Sequence, residues 1–126
     1  MKDYEVKILD DEDVRFAAHL KSLGIQKSVA LTLTYLLNVD EASSRDIEIG
    51  TGLRQPEISL AICFMKSHSW VAGKLVKVNR KGRPLHVYSL CVPLERIFEY
   101  YESIIYHDSQ ESIAKIQKIK DLLHNE

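Results

Sequence analysis

The sequence predicts an α+β fold, mostly helical, in which short helices lead into one β-hairpin and a further helical segment follows. Three observations carry this. Apolar residues recur at three- and four-residue spacing through most of the chain. Two β-prone runs, Leu75 to Val78 and Val87 to Leu90, flank the Gly- and Pro-bearing stretch Asn79-Arg80-Lys81-Gly82-Arg83-Pro84. After Pro93 neither Gly nor Pro occurs, and helical periodicity of apolar residues resumes as far as residue 123.

Taken in order, Tyr4, Val6 and Ile8 alternate with Asp3, Glu5 and Lys7, the pattern of a short half-buried strand. Asp10, Asp11, Glu12 and Asp13 crowd a helix start, where acids favour the dipole. Phe16, Leu20 and Leu23, with Ala17, form one face of that helix, and Gly24 ends it. A second helix runs from about Gln26 to Asn38, with Val29, Leu33, Leu36 and Leu37 on its core side. Ser43 caps a third, short helix, with Asp46 in the acidic position of a capping box and Ile47 facing inward. Thr51-Gly52-Leu53 makes the next turn: Gly52 supplies a positive φ and Leu53 returns to the core.

A fourth helix spans about Gln55 to Ser67, with Pro56 in its first turn, where a missing N–H costs nothing. Its buried stripe is Ile58, Ala61, Ile62 and Met65. Two short helices joined by a Gly-containing turn are a helix-turn-helix, with the later helix as the reader. A hairpin with a basic tip directly behind it completes the winged-helix order. From Pro93, an apolar face of Leu94, Ile97, Phe98, Tyr101, Ile104 and Ile105 continues through Ile113, Ile116, Ile119 (or Lys120) and Leu123. His107 to Glu111 interrupts it, so the segment reads as two helices or as one helix with a break near Asp108. The expected division is residues 1–92 and 93–126.

A chain of 126 residues is one ordinary domain, and 45% hydrophobic with 28% charged residues is a globular composition. No apolar run is long enough to span a bilayer, and the first residues lack the pattern of a signal peptide, so a cytoplasmic address is expected. Cys63 and Cys91 are far apart and outside any metal or redox spacing; both are expected reduced. The net charge of −1 hides a polarity. Residues 54–86 hold Arg54, Lys66, Lys74, Lys77, Arg80, Lys81 and Arg83 against Glu57 alone, while the flanking segments are both acidic. A phosphate backbone responds to a local positive face, which makes this block the candidate footprint.

The stretch from Ser43 to Leu90 resembles winged-helix regulators of the MarR, ArsR and TrmB type, most of all small archaeal ones. Thr51-Gly52-Leu53-Arg54-Gln55-Pro56-Glu57-Ile58-Ser59 is similar to the signature opening their recognition helices, Trp70-Val71 to the start of their wing, and Lys81-Gly82-Arg83-Pro84 with Val87-Tyr88 to its tip and returning strand. Ser69 stands where Gly is usual, Leu60 where Arg or another polar residue is usual, and Glu48 where a small Ala is usual, so looser or shifted packing is expected beside Glu48.

The resemblance implies a transcriptional regulator that binds double-stranded DNA as a homodimer, with the recognition helix in the major groove and the basic wing on the backbone or minor groove. The expected DNA-binding residues are Arg54, Gln55, Pro56, Ser59, Leu60, Lys66, Lys77, Arg80, Lys81 and Arg83. Projection of the fourth helix puts Pro56, Ser59, Leu60, Cys63 and Ser67 opposite the buried stripe, with Gln55 flanking. Gln55 can read a base edge, Ser59 can reach a base or a phosphate, and Leu60 can touch a thymine methyl. So weak a reading head implies modest specificity and phosphate-dominated affinity. Dimerisation is expected on Leu94, Ile97, Phe98, Tyr101, Ile104, Ile105, Ile113 and Ile116, whose apolar surface is too large for one small domain to leave exposed. His107, Asp108 and Glu111 fall short of a closed metal site, and no catalytic constellation or phosphate loop is present, so no cofactor, metal, membrane or enzymatic activity is expected. The alternative is a winged helix that binds protein within a transcription assembly, favoured if the face of Leu60, Cys63 and Phe64 proves exposed and apolar.

Overall fold

The structure is a computed structural model and describes residues 6–77 and 84–124. Each helix boundary has a local chemical cause. Helix α1 (Asp11–Ser22) begins at Asp10, whose carboxylate accepts the Asp13 N–H at 2.9 Å while Asp13 accepts the Asp10 N–H at 3.1 Å. That backbone hydrogen bond, with the Lys7 ammonium 3.4 Å away, holds the Asp13 carboxyl below its ordinary range. Gly24, at φ +99°, ends the helix. Ala17 and Leu20 are buried and Phe16 is half-buried, but Leu23 is exposed, so the inward face is narrower than its spacing suggests.

Helix α2 (Lys27–Leu37) is flanked by Gln26 and Asn38. It is the central helix: Val29, Ala30 and every residue from Thr32 to Leu36 are buried. Leu37, expected in the core, is exposed at its end. Thr32 and Thr34 look polar in sequence, yet both lie inside, and Thr34 donates its hydroxyl hydrogen to the Ala30 carbonyl at 2.7 Å.

Helix α3 (Ser44–Thr51) follows the two-residue strand β1 (Ala42–Ser43) and carries the expected capping box of Ser43 and Asp46. The Thr51 hydroxyl donates to the Ile47 carbonyl and accepts the Leu53 N–H, while Gly52 turns the chain at φ +80°. Helix α4 (Gln55–Ser67) then buries Ile58, Ala61, Ile62 and Met65. It ends with Ser69 at φ +63°, the Ser69 N–H on the Lys66 carbonyl and the Trp70 N–H on the Met65 carbonyl. That pair of bonds is the Schellman arrangement. A positive φ is why glycine is common at this position; here a serine adopts it.

Strands β2 (Val71–Lys77) and β3 (Pro84–Leu90) pair antiparallel from Val71 opposite Leu90 to Lys77 opposite Pro84, a longer hairpin than the β-prone runs alone indicate. The sheet order is β1-β3-β2. The third strand is therefore Ala42–Ser43, against Tyr88 and Val87, and not the N-terminal segment. From Val6 to Asp10 the chain has no strand pairing. The Leu9 N–H instead donates to the Gly50 carbonyl at the end of α3, and Ile8 is exposed. A helix terminus offers free carbonyls, and this segment satisfies one of them instead of extending the sheet. Tyr4 and its neighbours lie outside the described residues.

The core comprises Leu33, Tyr35, Ile47, Ile58 and Met65, with Trp70, Val71 and Val87 closing it from the sheet side. Full burial of an aliphatic side chain of this size contributes about 1.5–3 kcal/mol. Burial, and secondarily the Asp46 carboxylate, raise the Tyr35 phenol above its ordinary pKa.

The chain divides into two units, residues 1–92 and 93–126. The second is one helix, α5 (Leu94–His124). It passes through Asp108 without a break, which corrects the expected interruption. With no Gly or Pro the hydrogen-bond ladder continues, and His107 and Glu111 pair across one turn at 3.0 Å. Polarity there changes what the helix offers its surroundings, not its backbone.

Candidate nucleic-acid interface

The turn at Gly52 sets α3 and α4 as the two helices of a helix-turn-helix, and burial of Ile58, Ile62 and Met65 fixes which side of α4 faces out. Gln55, Pro56, Ser59, Leu60, Cys63 and Lys66 are all exposed on that side, as is Arg54 at the helix start. Leu60 is 70% exposed. Phe64 is half-buried, edge-on to Trp70 at 5.8 Å and tilted against His68 at 4.6 Å, so it belongs to the support beneath the helix.

Gln55, Ser59, Cys63 and Lys66 line one side of an open concavity of about 320 Å³, with Ser44 and Tyr88 among the residues opposite. Tyr88 was not among the expected site residues. It stands opposite Gly73 across the hairpin, where a side chain would press on its ring. With that space clear, the ring lies over β2 and carries the Lys66 ammonium 5.4 Å from its centre. The cation is thereby held at the edge of the concavity.

Glu48 is the second residue whose role was not expected. Ile47 and Leu53 beside it are buried. The exposed Glu48 side chain reaches α4 instead: the Gln55 amide nitrogen donates to the Glu48 carboxylate at 2.9 Å and to the Ser44 carbonyl at 3.2 Å. The signal was present in the sequence, since a long acid stands there in place of a small residue. Arg45, on α3, is also exposed. Lys74 pairs with Glu41 at 3.3 Å.

Lys77 is the last residue of β2. Arg80, Lys81 and Arg83 lie outside the described residues. Cys63 and Cys91 are both exposed, and the Cys91 thiol donates to the Ser69 carbonyl at 3.4 Å. Among the described residues no three His, Cys, Asp or Glu side chains stand together as metal ligands, and no helix is long and apolar enough to cross a membrane.

Along α5, Ile97 is buried, Leu94, Phe98 and Tyr101 are half-buried, and Ile104, Ile105, Ile113 and Ile116 are exposed. Ile119, Leu122 and Leu123 extend this exposed apolar surface. Burial, and secondarily Tyr100, push the Tyr101 phenol up to about 12.

No protein-family model matches the chain, and no curated protein matches it in sequence. Solved structures do match it in fold. A possible transcriptional regulator from Methanosarcina mazei Go1 superposes with a TM-score of 0.59, over 90% of this chain and 98% of that one, at 9% identity. A second chain, described as a transcriptional regulator, superposes with a TM-score of 0.54, over 87% of this chain and 69% of that one, at 15% identity. The fold is thus a mostly helical winged helix-turn-helix with a three-stranded antiparallel sheet and a long C-terminal helix.

Proposed function

We propose that this chain is a transcriptional regulator that binds double-stranded DNA as a homodimer, and is a binding protein and not an enzyme. The observation that carries the reading is the outward face of α4. Its polar residues Gln55, Ser59 and Lys66 line a concavity beside the hairpin, and Arg54 is exposed at the start of the same helix. Helix N-termini of this kind enter the major groove, with the hairpin beside them reaching the flanking backbone. Both fold neighbours are described as transcriptional regulators, the first as a possible one, which supports the same reading.

Leu60 is exposed and offers a base only methyl contact, so affinity rests chiefly on phosphates. Lys66, Arg54, Lys77, Arg80, Lys81 and Arg83 supply those contacts. The protein-binding alternative draws on the exposure of Leu60 and Cys63, but the cations framing that face favour DNA.

The exposed apolar surface of α5 supports the dimer reading. Its 31 residues extend about 46 Å. The exposed isoleucines and leucines from Ile104 to Leu123 would leave a long apolar surface in water unless a second chain covers it. Ile97, already buried, contributes little to that interface.

Binding titrations at several salt concentrations test the DNA reading. Wild type should bind duplex DNA, and Arg80→Ala with Arg83→Ala should weaken binding to specific and random duplexes alike. The log–log salt slope should fall by roughly 1 for each phosphate the variant no longer neutralises. Wing variants that bind every duplex as tightly as wild type remove the wing as anchor and move the protein-binding alternative ahead.

A further inference from the structure

We propose that Glu48 sets the base preference of α4 by locking the Gln55 amide with its oxygen outward, so that this corner of the interface selects cytosine. The inference rests on the DNA-binding reading above. Gln55 is the first residue of the recognition helix, where side chains of helix-turn-helix proteins meet base edges. A free glutamine there pairs with adenine, donating from its amide nitrogen to N7 and accepting from N6. Here that nitrogen is engaged twice. One hydrogen bond runs to the Glu48 carboxylate at 2.9 Å and one to the Ser44 carbonyl at 3.2 Å. An amide nitrogen carries two hydrogens, so both are spent.

The orientation of the amide is dictated by chemistry. The two neighbours are a carboxylate and a carbonyl oxygen, neither of which donates, so only the NH2 end can face them. The bond to Glu48 is charge-assisted, the stronger class of hydrogen bond. What remains for a base is the amide oxygen, with the carboxylate of Glu48 beside it. Both are acceptors. In the major groove guanine presents two acceptors and thymine an acceptor and a methyl group. Adenine presents a donor beside an acceptor, and cytosine a donor alone. Two acceptors side by side are therefore best met by the cytosine amino group and are repelled by guanine.

Selection from a randomised duplex library, with sequencing of the retained fraction, tests this on the full-length protein. Wild type should enrich cytosine at one position. Glu48→Ala frees one of the two amide hydrogens, the other staying on the Ser44 carbonyl, and should shift that position toward adenine, changing the cytosine-to-adenine ratio roughly tenfold, the effect of one good base contact. Gln55→Ala should flatten the preference there and leave other positions unchanged. Glu48 is exposed, so the variant should fold, and a superimposable circular dichroism spectrum checks this. Wild type and Glu48→Ala with the same preference overturn the inference while leaving DNA binding intact. So does a wild type that retains duplexes without selecting any base. A wild type that retains no duplex overturns the DNA-binding reading itself, and this inference with it.

Discussion

Ser69 holds a left-handed backbone at the end of α4, and replacing it by glycine should stabilise the fold. Its N–H donates to the Lys66 carbonyl at 2.9 Å and its carbonyl accepts the Cys91 thiol at 3.4 Å. Both are main-chain contacts that glycine keeps, and the side chain is exposed. The left-handed region costs an L residue about 1–2 kcal/mol. Glycine avoids that cost but gains freedom in the unfolded chain worth about 0.4–1 kcal/mol in the opposite direction. Strain outweighs the added freedom, so Ser69→Gly should stabilise by about 0.5–1 kcal/mol. For a unit of this size, 1 kcal/mol moves Tm by about 4–8 °C, and thermal unfolding followed by far-ultraviolet circular dichroism should show a rise of roughly 2–8 °C. Ser69→Val should move Tm the other way, because a β-branched side chain tolerates positive φ worst. A glycine variant that melts at or below wild type, or a valine variant that matches it, refutes the dominance of strain at this turn.

Other sites give equally direct expectations. A Cβ at Gly50 would run into the buried Tyr35 ring and the Lys7 carbonyl oxygen, so Gly50→Ala should cost about 1–3 kcal/mol in urea unfolding. The Thr32 hydroxyl is buried with no hydrogen-bond partner among the described residues, and Thr32→Val should gain about 1 kcal/mol. Thr34→Val, which removes the bond to Ala30, should lose stability in the same assay. Ile113→Lys with Ile116→Lys, two exposed positions of α5, should convert a dimer to monomer in sedimentation without lowering helix content; a wild type that is already monomeric sinks the dimer reading.

Legibility varied with the range of the interaction that decides each feature. The capping box of Ser43 and Asp46, the turn at Gly52, the span of α4 and its stripe of Ile58, Ala61, Ile62 and Met65 were readable because each rests on neighbours within four residues. The strand expected near Val6 failed because alternation marks a half-buried extended segment and does not say what its backbone will bond. Here the partner was the carbonyl of Gly50, over forty positions away. Strand β1 escaped notice for the same reason, since two residues carry no pattern and Ala42 and Ser43 become a strand through pairing with Tyr88 and Val87.

At the candidate interface the outward residues of α4 were visible from helical projection, but their chemistry was not. Gln55 reads as a free amide in the sequence, and a contact from Glu48, seven residues earlier on another helix, engages its donors. Lys66 reads as one cation among several, and the ring of Tyr88 from the hairpin holds it in place. The sequence by itself determined the first four helices, the capping box of Ser43 and Asp46, the order that makes a winged helix and the apolar face of α5, because periodicity and capping are local. The tertiary structure alone decided how the sheet is completed, which threonines are buried and which polar groups at the reading face remain free, because these depend on side chains brought together across the fold.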